Sequence, residues 1–192
     1  IKSCGEEVPS WITDMVNSGA NSFYIFEDGK KKFYDINTKK YISVPSSENH
    51  YILDAFRENK QILKNPECTI HDIGDGVMCI EFQTKGNSIG EGIAKGINEA
   101  IDIAERDGWN GIVIGNNDKQ FSVGANLMNM GMMAMQKNFD AIEEFLVGFQ
   151  KILMRMRTCN VPVVSATHGF VMGGGLEVSI HCDAGIHASE SY

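Results

Sequence analysis

The sequence predicts an α/β layered fold preceded by a small helix-plus-β-hairpin segment, and three features carry that expectation. Short apolar runs such as "GIVIG" and "VPVVSATHG" alternate with longer stretches of helical periodicity. Glycine-containing turns mark the passages from one to the other. The opening residues instead show short aromatic runs around Asp28-Gly29, a strong hairpin dipeptide. Strand–helix alternation favours helices layered on a sheet, because each helix must bury its apolar stripe.

The elements follow in order. "PSWITDMVNSG" predicts a short helix with Ser10 as its cap and Gly19 as its stop. "SFYIFEDGKKKFYDI" reads as two strands, and "TKKYISVP" adds a third before Pro45. Polar "SSENH" and charged "RENKQILKNPE" read as a connector, which sets a boundary near Asn65–Pro66 and divides the chain into residues 1–65 and 66–192. Beyond it, "TIHDIGDGVMCIEF" gives two strands separated by Gly-Asp-Gly. Ile89, Ile93, Ile97, Ile101 and Ala104 recur at helical spacing up to Gly108. "GIVIG" is a buried strand, and "FDAIEEFLVGFQKILMRMR" a long amphipathic helix with Phe145, Phe149 and Leu153 on one stripe. "VPVVSATHG" and "DAGIHAS" supply the last strands.

Composition excludes several classes. A chain of 192 residues, 43% hydrophobic and 22% charged, can bury a real core. No apolar run approaches the ~18–20 residues of a membrane span, so no span is expected. A net charge of −8 argues against a nucleic-acid binder, which normally shows a basic face. The five cysteines are scattered, without a C-x-x-C pair, and read as small buried thiols of a reduced, cytoplasmic protein. No spacing suggests a metal site: Cys182 merely follows His181.

The stretch "HGFVMGGGLEV" asks for chemistry. Three consecutive glycines, Gly173 to Gly175, imply a sharp turn or a close approach to the backbone. An earlier turn, "NNDKQFSVGANL", likewise follows a strand and precedes a helix-like segment. Such turns expose backbone N–H groups without intrahelical partners. Two sets facing one pocket would stabilise an oxygen that gains negative charge. Either turn alone is weak evidence, since Gly-rich turns before helices are common. By itself Glu177 reads as a solvated first-turn residue favoured by the helix dipole.

The pair of motifs is more specific. "FSVGANL" followed by "HGFVMGGGLEVSIHCD" resembles the two oxyanion segments of the crotonase, or enoyl-CoA hydratase/isomerase, superfamily, and the likeness runs from Thr69 to Tyr192. "VPSWITDMVNSGANSFYIFEDGKKKFYDI" resembles the segment joining a 3-hydroxyacyl-CoA dehydrogenase to its hydratase in fused bacterial β-oxidation proteins. The resemblance implies a crotonase-like superhelix of ββα units, truncated before its C-terminal helices, and hydration of trans-2-enoyl-CoA. It places the thioester-binding amides at Ala125 and Gly174, with Gly124 and Gly173 beside them as substrate-binding residues, and one water-activating carboxylate at Glu177. It also places Lys85 and Ser88, in "QTKGNSIG", where relatives wrap CoA; a solvated loop is the equal alternative. No cofactor is expected for hydration, and NAD only for a dehydrogenase part outside these residues. The implied partners are an acyl-CoA substrate, a dehydrogenase domain of the same polypeptide and a trimer-type homo-oligomer.

The sequence departs from the family pattern in two ways. Asn126 stands where an aspartate often follows the oxyanion alanine. The second hydratase glutamate is expected past Tyr192, so residues 1–192 alone are expected to turn over little substrate. Met128, Met130, Met132, Met133 and Met135 suit either an acyl pocket or ordinary core. His71, His181 and His187 have no carboxylate or nucleophile at informative spacing, and His168, before Gly169, reads as a polar strand-end residue rather than a general base. Isomerase or thioesterase chemistry on the same scaffold, or a non-catalytic acyl-CoA-binding module, stay open as alternatives.

Overall fold

The computed structural model describes residues 5, 7–27, 30–45, 51–56 and 60–192. Asp28-Gly29, "SSENH" and Cys4 lie outside the described residues. Two compact units divide the chain, Ile1–Phe56 and Arg57–Tyr192.

In the first unit helix α1 (Ser10–Asn17) precedes three antiparallel strands, β1 (Tyr24–Glu27), β2 (Lys30–Asp35) and β3 (Lys40–Ser43), in that spatial order. Met15, Ala20 and Tyr34 form its core, flanked by Trp11, Phe23 and Tyr41. Gly19, with φ of 87°, closes α1 in the left-handed region. Ser10 is not the cap. It is the first helical residue behind Pro9, and among the described residues no side-chain hydrogen bond caps the helix.

The second unit is built on one six-stranded sheet. Its strands run in spatial order β4 (Gln61–Lys64), β5 (Cys68–Gly74), β6 (Val77–Phe82), β7 (Gly111–Ile114), β8 (Val163–Thr167) and β9 (Ala184–His187). β4 to β6 pair antiparallel and β6 to β9 parallel. Gln61–Lys64 is thus a paired edge strand, although its residues read as connector; four residues are too few for alternation to show. Helices α2 (Glu91–Asp107), α3 (Leu127–Met135), α4 (Phe139–Thr158) and α5 (Gly174–Ile180) follow. β5, β6 and α2 form one ββα unit.

The core explains the pattern. Ile70, Met78, Ile80, Ile112 and Ile114 meet Ile93, Ile97 and Ile101 of α2, Phe149 and Leu153 of α4, and Val178 of α5. Each such side chain contributes roughly 1.5–3 kcal/mol over its exposed state. Ile89 belongs elsewhere: α2 begins at Glu91, and Ile89 is a buried bridge residue ahead of it. Gly108 closes α2 with φ of 72°. Cys68 and Cys79 are buried, and desolvation pushes their thiols up to about 11 and about 12, which leaves them protonated at neutral pH. Among the described residues no helix is long and apolar enough to cross a membrane.

Candidate active site

The site is assembled around one extended segment, Phe121 to Asn126, laid between two others. On one side, Val123 N–H donates to Gly86 O (3.1 Å), Ile89 N–H to Gly124 O (2.7 Å) and Asn126 N–H to Ile89 O (3.0 Å). On the other, Ser122 N–H donates to Phe170 O and Met172 N–H to Ser122 O, both at 3.0 Å. Ile89 and Ala125 therefore form a parallel bridge, as do Ser122 and Val171. In a parallel bridge the outer residue bonds both neighbours of the inner one, so the inner residue's own amide faces the opposite side. The Ala125 N–H is thereby turned from Ile89 toward the side where the Val171–Gly174 segment runs.

That segment turns at Gly173, whose φ of 49° and ψ of −121° only glycine adopts without strain. α5 begins at the next residue. A Cβ on Gly174 would lie 3.5 Å from the Ala125 nitrogen, and one on Gly124 would lie 3.1 Å from the Gly174 nitrogen. The two turns are thus in direct backbone proximity. Among the described residues neither the Ala125 nor the Gly174 amide has a hydrogen-bond acceptor. Gly124, at φ of 91°, also carries no Cβ because Met172 O would stand 2.8 Å from it.

Glu177 sits in the first turn of α5, its N–H bonded to Gly173 O at 3.0 Å and its side chain exposed. Lys85 is exposed on a 3-10 turn, Lys85–Asn87, and Ser88 is half-buried, its carbonyl accepting from Thr84 Oγ1 at 2.7 Å. Sequence reasoning missed the residues that bind this turn to the Ala125 segment. Asn87, buried and left-handed at φ of 52°, donates to Gln120 O, while Ser122 Oγ donates to Asn87 O and accepts from Gly124 N–H. Nothing in periodicity signals such long-range bonds. Asn126 has a definite task where aspartate is common: its side chain accepts from Asn129 N–H and caps α3. His71 does find a carboxylate. The β5–β6 hairpin brings its Nε2 within 2.9 Å of Glu81 Oε2, both side chains being buried. His168 bonds Asp118 O through Nε2 at 2.7 Å.

A cavity of about 190 Å³ opens beside Asn126, lined by Ile89, Met130, Met133 and Phe145 together with Glu67. Of the five clustered methionines only Met130 and Met133, one helical turn apart, face it. Met128 and Met135 are 77% and 87% exposed.

Residues 72–192 match the sequence profile described as enoyl-CoA hydratase/isomerase. The chain belongs to the enoyl-CoA hydratase/isomerase family. This is the crotonase superfamily, and the fold is crotonase-like: an enoyl-CoA hydratase from Thermoplasma volcanium superposes with a TM-score of 0.58 at 25% identity, over 66% of this chain and 50% of that one. A probable 3-hydroxyacyl-CoA dehydrogenase of Bacillus subtilis is 34% identical over the whole of this chain, which covers 24% of the Bacillus protein. A crotonyl-CoA hydratase of Syntrophomonas wolfei is 35% identical over 82 residues, 42% of this chain and 29% of that protein. The chain thus spans about half of the solved hydratase and about a quarter of the Bacillus relative.

Proposed function

We propose that these residues are part of a larger polypeptide that hydrates trans-2-enoyl-CoA to 3-hydroxyacyl-CoA in fatty-acid β-oxidation. The observation that carries this is the pair of neighbouring backbone amides, Ala125 and Gly174, with no acceptor among the described residues. A thioester oxygen accepting from both would be stabilised as charge enters it, and donors of this kind are worth about 2.7–4 kcal/mol each when well aimed. Water oxygen then bonds to the β-carbon, the double-bond electrons move toward the thioester, and a proton is delivered to the α-carbon. Glu177 handles the water proton together with a second carboxylate supplied by residues beyond Tyr192. Besides the enoyl-CoA itself the reaction consumes only water, and CoA arrives as part of the substrate. The Bacillus relative, aligned along the full chain, supports a dehydrogenase in the same polypeptide, with the residues ahead of the sheet unit as its connector.

Crotonyl-CoA hydration tests the reading. A polypeptide extended past Tyr192 to hydratase length is expected to turn substrate over, and residues 1–192 alone to turn over little. Equal rates would remove the second carboxylate from the mechanism. An extended protein that only moves the double bond would make it an isomerase.

The acyl chain is placed in the cavity lined by Ile89, Asn126, Met130 and Met133. Met130 and Met133 are soft, adaptable walls. Met133→Phe in the extended protein is expected to shift kcat/KM from eight-carbon toward four-carbon substrates by roughly tenfold, as one methylene in a pocket is worth about that. An unchanged chain-length profile would count against the assignment.

A further inference from the structure

Glu67 stands outside every motif, yet it is locked against the start of α2. Its Oε2 accepts from Gly92 N–H at 2.9 Å and Ile93 N–H at 3.1 Å. Asn65 grips the same residue from the other end, donating through Nδ2 to Gly92 O at 2.8 Å, while its Oδ1 accepts from Glu67 N–H. The slot is cut to the carboxylate: a Cβ on Gly90 would lie 2.6 Å from Glu67 Oε2, and one on Gly92 2.8 Å from its Cγ. Gly90 supplies no side chain to cap α2, so the glutamate does this from a distant strand entrance, where the positive end of the helix favours it.

The residue before Gly90 is Ile89, which bonds both neighbours of Ala125. A displacement of the α2 start is therefore passed through Ile89 to the direction of the Ala125 N–H. Glu67 also lines the cavity that Ile89 and Asn126 share.

We infer that Glu67 is a positioning residue for the Ala125 amide, acting through Gly92, Ile93 and the Ile89 bridge. This rests on the reading of Ala125 as a thioester donor, and the test separates the two. In the full-length polypeptide, Glu67→Ala is expected to lower kcat for crotonyl-CoA about tenfold with KM within about twofold, since small misplacements in a reacting geometry are costly. Gly92→Ala, which keeps the carboxylate but fills its slot, is expected to do the same. Glu67→Gln retains an accepting oxygen and recovers most of the lost rate. Amide hydrogen exchange at Ile89 and Asn126 is expected to quicken in the first two variants. A cap that serves only stability would lower the Tm of each variant and leave kcat and these two amides unchanged; that result overturns the proposal. Should the wild-type protein fail to hydrate enoyl-CoA while the exchange responds, the functional reading falls and the positioning role stands. If exchange does not respond, the positioning role falls whatever the activity.

Discussion

Gly174→Ala is expected to lower hydration by about 100- to 1000-fold while leaving thermal unfolding nearly unchanged. The added methyl meets Ala125 N, Ile89 Cδ1 and Phe149 Cε1, all at 3.5 Å, which is ordinary van der Waals contact. Gly174 is the first residue of α5, outside the left-handed region, and alanine is a better helix former than glycine. The fold therefore accepts the change. The chemistry does not, because the methyl is attached next to one donor nitrogen and within 3.5 Å of the other, in the space a shared oxygen would need. Gly124→Ala is a poorer probe: its φ of 91° and a clash with Met172 O at 2.8 Å would damage fold and site together. Measurements of kcat and Tm on the extended protein decide the matter. A variant with normal turnover would mean that the amides of Ala125 and Gly174 do not serve one oxygen.

What was legible in the sequence divides along a physical line. Local rules read well where local forces decide: the isoleucine stripe of α2, its left-handed stop at Gly108, and the Gly-Asp-Gly turn joining β5 to β6 all stand where spacing put them. The paired glycine turns were legible because each carries its own local signature. Partners set by tertiary contact were not. Ile89 fits the helical stripe by spacing, yet its backbone is spent on Gly124 and Asn126, far along the chain. Ser10 looks like a cap, but Pro9 takes that position and Ser10 enters the helix. Glu67 shows no pattern at all, since its partners are amides of a helix that begins more than twenty positions later. β4 is an edge strand of four residues whose pairing, not its composition, makes it a strand. The methionine cluster shows the same division: composition marks softness, and only the helix phase selects Met130 and Met133 for the cavity.

Glu177→Gln carries the second large effect, an expected fall in kcat of about 100- to 10,000-fold with KM for the thioester little changed. The placement argues for it. Glu177 lies one turn into α5 from Gly174, on the helix whose first amide is one of the two donors, and its N–H is tied to Gly173 O at 3.0 Å. Among the described residues its carboxylate has no hydrogen-bond or ion-pair partner, so nothing in this unit holds it for a structural purpose. Glutamine keeps the length and the ability to hold a water molecule but can neither take nor return its proton. Binding should therefore survive and the chemical step should not. A solvated first-turn glutamate would behave otherwise: losing its charge would cost only about 0.3–1 kcal/mol of helix-dipole interaction and would leave turnover alone. The ratio of the two parameters separates these cases, because an interaction made only in the transition state appears in kcat, whereas one made equally with the bound substrate appears in KM.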